Sequence, residues 1–174
     1  MLRLILLRHS KAAPHTRTGD HERALTERGR DDAARLGAHI AAQGLTLATA
    51  LHSGAKRTKE TLDIVLKKAK LSPPVAVDPR LYEATCERFL DVVRSHPDAA
   101  APLLVVGHNP SMAEAALRLA GAGEGGALLR MSAKFPTSGL AIIDFEADLW
   151  ADIAEGAGRL VDFTTPAALG GRDD

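Results

Sequence analysis

Cysteine is almost absent from the sequence, which has 174 residues and a single cysteine, Cys86. One cysteine cannot form a disulfide bond within the chain, and this composition is typical of proteins from reducing compartments. The N-terminus also lacks the pattern of a signal peptide, because its apolar run, Leu4 to Leu7, is followed at once by Arg8 and His9. We therefore expect a cytoplasmic protein without disulfide bonds.

Aromatic residues are scarce as well, and the chain has no excess of either charge. Phe, Trp and Tyr make up 3% of the chain, so the sequence offers no platform on which nucleic-acid bases could stack. Lys plus Arg equals Asp plus Glu at 22 each, and this balance argues against nucleic acid or an anionic membrane as the partner. The uncharged stretch 36–55 contains several polar residues, so we interpret it as helix, turn and strand rather than as a membrane span.

The sequence does contain alternating strand-like and helix-like segments. Short apolar runs predict strands at six places: 2–7, 47–52, 75–77, 103–106, 140–145 and 159–163. Apolar residues at helical spacing predict helices at four places: from Thr26 to Gly44, from Lys56 to Lys70, from Thr85 to before Pro97, and after Asn109. Asn109 is predicted to cap the last of these helices, and the glycine-rich segment 121–126 is predicted to be a turn.

This order of elements predicts an α/β fold with three layers. A mostly parallel sheet of about five or six strands would carry helices on both faces. The length suits one domain, which we place at 1–169, and we expect the last residues, 170–174, to form a flexible tail.

Basic and imidazole side chains stand where three of the predicted strands end. Arg8 and His9 follow the first strand, Arg57 lies just after the second, and His108 and Asn109 follow the strand at 103–106. Ligands of parallel sheets bind beyond the carboxyl ends of the strands, so we expect these side chains to converge. The planar fork of arginine suits phosphate, and a neutral histidine can attack phosphorus. The pattern therefore predicts a phosphate site.

The same segments resemble the histidine phosphatase superfamily. Five elements occur in the order of that family, over about residues 2 to 112: Leu7-Arg8-His9, Leu25 to Gly29, Ser53 to Thr61, Leu81-Tyr82-Glu83 and Val106 to Asn109. Within the superfamily the chain is most similar to the SixA-type phosphohistidine phosphatases, which share its small size, the Arg-His-Ser-Lys-Ala start and the Gly-His-Asn-Pro turn.

The resemblance implies roles for individual residues. His9 would be the nucleophile, Arg8, Arg57 and His108 would bind the phosphoryl group, and Glu83 would be the general acid. For Glu83, an ion pair with a nearby arginine at the surface is the alternative. Four further residues are assigned to substrate binding: Ser10, Arg17, Arg23 and Asn109. Arg17, Asp20 and Arg23 share the polar loop after the first strand, for which two interpretations stay open: a solvated surface, which is favoured, or the mouth of the pocket.

The resemblance also implies a reaction and a partner. The expected reaction is hydrolysis of phosphohistidine on a signalling or phosphocarrier protein, through phospho-His9 and without metal or cofactor. Two alternatives stay open: a broad phosphatase for small phosphate esters that uses Glu83 as its acid, and a phosphate-recognition module without turnover. A metal site at His9, His15 and His21 is disfavoured, since their spacing matches no standard ligand pattern. The sequence leaves the oligomeric state open.

Overall fold

A computed structural model describes residues 1–15, 17–97 and 100–174 of the chain. In this part of the chain one sheet contains seven strands, in the order β3-β2-β4-β1-β6-β7-β5. The strands are β1 (Leu2–Arg8), β2 (Thr49–His52), β3 (Val75–Val77), β4 (Leu103–Gly107), β5 (Ala120–Gly123), β6 (Leu140–Phe145) and β7 (Gly158–Thr164). Only β6 runs antiparallel to its neighbours, β1 and β7; the other neighbouring strands pair in parallel.

Helices cover both faces of this sheet. They are α1 (Glu27–Ala42), α2 (Lys56–Ala69), α3 (Cys86–Arg94), α4 (Ser111–Leu119) and α5 (Ala127–Ala133). Thr26 and Thr85 cap α1 and α3, because their side chains accept hydrogen bonds from the backbone N–H groups of Gly29 and Arg88. The predicted three-layer α/β fold with a mostly parallel sheet is confirmed.

The central strand β1 shows why its sequence is apolar without alternation. Ile5 and Leu7 belong to the core on the side of α1 and α2. Leu4 and Leu6 belong to the core on the side of α3, α4 and α5. A strand that is buried on both faces needs apolar side chains in both directions, so its apolar residues are continuous.

The segment predicted as a turn at 121–126 is different in the structure. Its first part is strand β5, which pairs with β7, and α5 follows it. The strand packs closely, since a Cβ built on Gly121 would lie 1.8 Å from the carbonyl oxygen of Gly156. Glycine is needed there because the two backbones approach closely, not because the chain turns. The sequence Ala-Gly-Ala-Gly has no alternation of large apolar and polar side chains that would indicate a strand.

The start of α4 also differs from the prediction. The helix begins at Ser111, with Pro110 as its cap residue instead of Asn109. The Asn109 side chain still accepts a hydrogen bond from the Ala113 N–H at 3.3 Å, and its amide donates to the Phe135 carbonyl at 2.9 Å. Asn109 therefore ties the helix to the segment that follows α5.

The tail at 170–174, expected to be flexible, makes specific contacts in the structure. Asp173 accepts hydrogen bonds from the Thr165 hydroxyl and the Ala167 N–H, both at 2.9 Å. The Arg172 carbonyl accepts from the Arg28 side chain at 2.8 Å. These contacts hold the tail against α1 and the segment after β7. Among the described helices, none is long and apolar enough to cross a membrane.

Candidate active site

The ends of β1, β2 and β4 meet at one edge of the sheet. These three strands are neighbours, and their register places Arg8 opposite Gly107 and His52 opposite Val106. A cavity of about 270 Å³ opens beyond this edge. Ten described residues line it: Arg8, His9, Lys11, Ala12, Arg23, Arg57, His108, Asn109, Thr137 and Asp174. A cavity of about 520 Å³ lies elsewhere, between α1 and the tail.

Four of these residues form what we call the floor of the cavity: Arg8, His9, Arg57 and His108. His9 is 8% exposed, and its Nδ1 lies 2.8 Å from the Ser10 carbonyl oxygen. A carbonyl only accepts, so Nδ1 carries the proton, and Nε2 of the neutral ring keeps its lone pair. Burial lowers the pKa of His9 to about 4, assisted by the positive charges of the neighbouring arginines. His9 is thus neutral at pH 7, and its tautomer leaves the Nε2 lone pair available for nucleophilic attack.

His108 lies beside His9, with the two ring centroids 5.2 Å apart. The Ser53 hydroxyl is 2.7 Å from His108 Nε2 and fixes the ring from that side. Burial lowers the pKa of His108 to about 3, and repulsion from protonated His9 and from Arg57 acts in the same direction. A bound phosphate would oppose this shift, because its negative charge favours a protonated ring that donates a hydrogen bond.

The two floor arginines are held by other parts of the chain. Arg57 is 6% exposed, and its two Nη atoms donate to the carbonyl and carboxylate oxygens of Asp20 at 2.9 and 3.1 Å. Arg8 donates through Nη1 to the Phe135 carbonyl at 3.0 Å. These bonds fix both guanidinium groups before any ligand arrives.

Each of three floor residues also keeps a buried nitrogen without a hydrogen-bond partner. They are Arg8 Nε, Arg57 Nε and His108 Nδ1, three of the five such side-chain atoms in the described part of the chain. Buried polar groups are almost always paired, so three residues that line one cavity and each keep an unpaired nitrogen are consistent with a site for a ligand that brings hydrogen-bonding oxygens. A phosphoryl group, with its several oxygens, has that chemistry.

Two residues near the floor had no assigned role in the sequence-based site. Asp20 accepts hydrogen bonds from Arg57, from Arg23 at 3.0 Å and from the Tyr82 hydroxyl. The Tyr82 bond, followed by those from the arginines, holds the pKa of Asp20 well below its usual range despite partial burial. The Tyr82 ring stands edge-on to His108, with centroids 5.5 Å apart. In the sequence, Asp20 is an acidic residue in a polar loop, and this pattern gives no information on its distance from Arg57.

The sequence-based prediction of the site also omitted Thr137 and Asp174. Both line the cavity, and the Asp174 carboxylate accepts hydrogen bonds from the Thr137 N–H and hydroxyl at 3.2 and 3.0 Å. With Asp20 and Tyr82, Asp174 makes up what we call the rim of the site. Nothing in the sequence connects residue 174 to residue 8 or 9, since this proximity depends on the path of the tail.

The structure separates the residues that were assigned to substrate binding. Arg23 and Asn109 line the cavity. Ser10 is fully buried behind it, where its N–H donates to Thr61 and its hydroxyl lies 2.6 Å from that of Ser138. Its contacts therefore fix the backbone next to His9. Arg17 is exposed, and it is not one of the described residues that line the cavity.

Glu83, assigned as the general acid, is exposed and is likewise not among the described lining residues. Its φ of 52° is in the left-handed region, and the side chain next to it, Tyr82, is the one that reaches Asp20 and His108. In the described part of the chain, no group of three or more His, Cys, Asp or Glu residues could hold a metal ion.

Comparisons with known proteins define the class. The family profile for the histidine phosphatase superfamily (branch 1) matches residues 4–102. An uncharacterised protein of Mycobacterium tuberculosis is 34% identical over 162 residues, which cover 92% of this chain and 99% of that protein. The chain therefore belongs to the histidine phosphatase superfamily. The profile match ends before His108, so the second histidine is placed in the site by the geometry.

Solved structures narrow the class further. A candidate phosphohistidine phosphatase SixA from Nakamurella multipartitia matches with a TM-score of 0.82 and 26% identity, over 96% of this chain and 97% of that one. A second, from Agrobacterium tumefaciens, matches with a TM-score of 0.76 and 27% identity, over 95% and 98% of the two chains. Within the superfamily the chain is of the SixA type, as the resemblance in sequence indicates.

Proposed function

We propose that this protein is a phosphatase that hydrolyses phosphohistidine on another protein, through a covalent phospho-His9 intermediate. The observation that carries the proposal is the floor of the cavity. There a neutral histidine with an Nε2 lone pair lines the same cavity as Arg8, Arg57 and His108, each of which keeps one buried nitrogen without a hydrogen-bond partner. Similarity to SixA-type structures supports the same substrate class.

The reaction has two steps. His9 Nε2 attacks phosphorus, the bond from phosphorus to the leaving group breaks, and the leaving group takes that electron pair. Water then attacks phospho-His9, and the electron pair of the broken P–N bond returns to Nε2 as inorganic phosphate forms. Arg8, Arg57 and His108 would stabilise the charge on the phosphoryl oxygens during both steps.

The position of Glu83 supports a phosphohistidine rather than an ester. An alkyl ester releases an alkoxide, which needs a proton from a general acid in the cavity. Glu83 is exposed and is not among the described residues that line the cavity. A phosphorylated imidazole can leave as a neutral ring, so it needs no acid from the protein when its second nitrogen is already protonated.

The test is phosphate release from a His-phosphorylated carrier protein and from p-nitrophenyl phosphate, with wild type, His9→Ala and His39→Ala compared. His39 lies on α1 and is not a described lining residue of the cavity, so it is the matched histidine control. We expect strong preference for the carrier, at least about a thousandfold loss in His9→Ala, and little change in His39→Ala.

Other results would change the assignment. Equal or better turnover of the ester would indicate a general phosphomonoesterase. Binding of the phosphorylated carrier without release of phosphate would indicate a recognition module. Activity that survives in His9→Ala would refute the proposed nucleophile.

A further inference from the structure

The tail brings a carboxylate into the phosphate cavity. Asp173 and Arg172 fix the tail through the contacts described above, and Asp174 then lines the cavity together with His9 and Arg57. Among the described residues that line this cavity, Asp174 is the single acidic one. A negative charge beside a bound phosphoryl group opposes binding. Lys11 and Arg8 offset part of the Asp174 charge, and the lone pairs that Thr137 leaves unused can accept a hydrogen bond from a donor on the substrate.

The Asp174 carboxylate is ionised and held in place. Thr137 donates to both of its oxygens, and Lys11 Nζ lies 3.6 Å away. Partial burial opposes ionisation, but the hydrogen bonds from Thr137 and the charge of Arg8 keep the pKa of Asp174 below its usual value. An ionised carboxylate cannot donate a proton, so Asp174 is placed to accept a hydrogen bond and not to act as a general acid.

We propose that Asp174 selects phosphorylated imidazole over phosphate esters, by accepting a hydrogen bond from the protonated second ring nitrogen of a phosphohistidine. This inference rests on the proposed function and names the group that sets its substrate preference. When His9 Nε2 bonds to phosphorus, the P–N bond to the substrate ring breaks and its electron pair stays on that ring. The ring keeps the proton on its other nitrogen and leaves neutral.

The same carboxylate has the opposite effect on an ester. There the bond that breaks leaves its electron pair, and hence negative charge, on oxygen. A nearby carboxylate raises the energy of that charge. The two substrate classes should therefore respond to the charge of Asp174 with opposite signs, which loss of structure would not produce.

Asp174→Asn tests this with little change of shape, because the amide can still pair with the Thr137 N–H and hydroxyl. We expect kcat/KM for the His-phosphorylated carrier to fall about tenfold, since a hydrogen bond to a charged group is lost. We expect kcat/KM for p-nitrophenyl phosphate to rise about threefold, as for loss of a partly screened charge. Asp148→Asn, an exposed carboxylate that is not a described lining residue, is the matched control and should change neither.

A second variant, at Asp173, should move the Asp174 carboxylate out of the cavity without changing Asp174 itself. Asp173→Ala deletes the acceptor for Thr165 and Ala167, so it should release the tail and with it Asp174. As in Asp174→Asn, kcat/KM should fall for the His-phosphorylated carrier and rise for p-nitrophenyl phosphate.

The outcomes separate this inference from the proposed function. Faster turnover of both substrates in Asp174→Asn would mean that the carboxylate only competes with phosphate, and would overturn the selection. Parallel losses, or no change in either rate, would overturn it as well. Those results, with a wild type that dephosphorylates the carrier through His9, would leave the proposed function intact. A wild type inactive on the carrier would refute both.

Discussion

The floor and the rim of the site are built in different ways. His9 and His108 directly follow β1 and β4, which lie side by side, so the sheet register fixes their separation. Asp20, Tyr82 and Asp174 come from a loop, a short turn and the tail, and side-chain hydrogen bonds hold them: Tyr82 donates to Asp20, and Thr137 donates to Asp174. Under the proposed function, we expect the floor to set the reaction and the rim to set geometry and choice of substrate.

The largest effect after loss of His9 should come from the other floor side chains. Arg57→Ala removes a fixed guanidinium and its unpaired Nε, so we expect kcat/KM to fall about a hundredfold. Arg57→Lys keeps the charge but not the fork that binds Asp20, and should recover only part of the loss. Steady-state kinetics on the carrier and inhibition by vanadate would measure both. A change of less than about threefold in Arg57→Ala would contradict the proposed role of the floor.

The next effect concerns pH and the buried state of His9. Burial lowers the folded pKa of His9 to about 4, so the neutral nucleophile should persist well below pH 6. An ordinary histidine would be mostly protonated at pH 5, and the rate would fall about thirtyfold there. We expect the acidic limb of kcat/KM for p-nitrophenyl phosphate to lie near pH 4 to 5. A limb near pH 6.5 would show that His9 is not shielded from water.

The same shift has a consequence for stability. The unfolded chain takes up a proton at a histidine pKa near 6.5, whereas folded His9 resists protonation until about pH 4. The unfolded state therefore binds more protons between these values, and the folded protein loses stability as the pH falls through that window. Denaturant unfolding of His9→Gln and wild type at several pH values should show a weaker acid dependence in the variant.

A smaller effect is expected at the rim. Asp20→Asn keeps the size of the side chain but weakens its bonds to Arg57 and Tyr82. Because Asp20 positions Arg57 and does not line the cavity, we expect a fall of about tenfold in kcat/KM and little change in Tm. Tyr82→Phe removes one donor to Asp20 and should have part of this effect. Equal kcat/KM in Asp20→Asn and wild type would show that Arg57 needs no such support.

The smallest effect should be found at Glu83. Its exposure, and its absence from the described lining residues, lead us to expect less than about a twofold change in Glu83→Gln with either substrate. A large loss with an alkyl phosphate such as glycerol phosphate, whose alkoxide must be protonated as it leaves, would restore the role of Glu83 as a general acid and favour a broad phosphomonoesterase.

The same contrast explains how far the sequence could be used for prediction. Arg8, His9 and His108 stand at the ends of apolar runs, and parallel strands bring such ends together, so their convergence follows from local patterns. Strand β5 was missed because small residues in close packing leave no hydrophobic periodicity. Asp174 was missed because its position depends on the tail contacts and on Thr137 and Lys11, which are distant in sequence. Long-range polar contacts carry no periodic signal.

The most direct test of the central claim is to trap the phosphorylated enzyme. Wild type and His9→Ala would be mixed briefly with the His-phosphorylated carrier, quenched in base to preserve phosphohistidine, and digested for mass spectrometry. The account predicts phosphorylation at His9 in the wild type and none in the variant. Phosphorylation at His108, or at no residue while the carrier loses its phosphate, would contradict it.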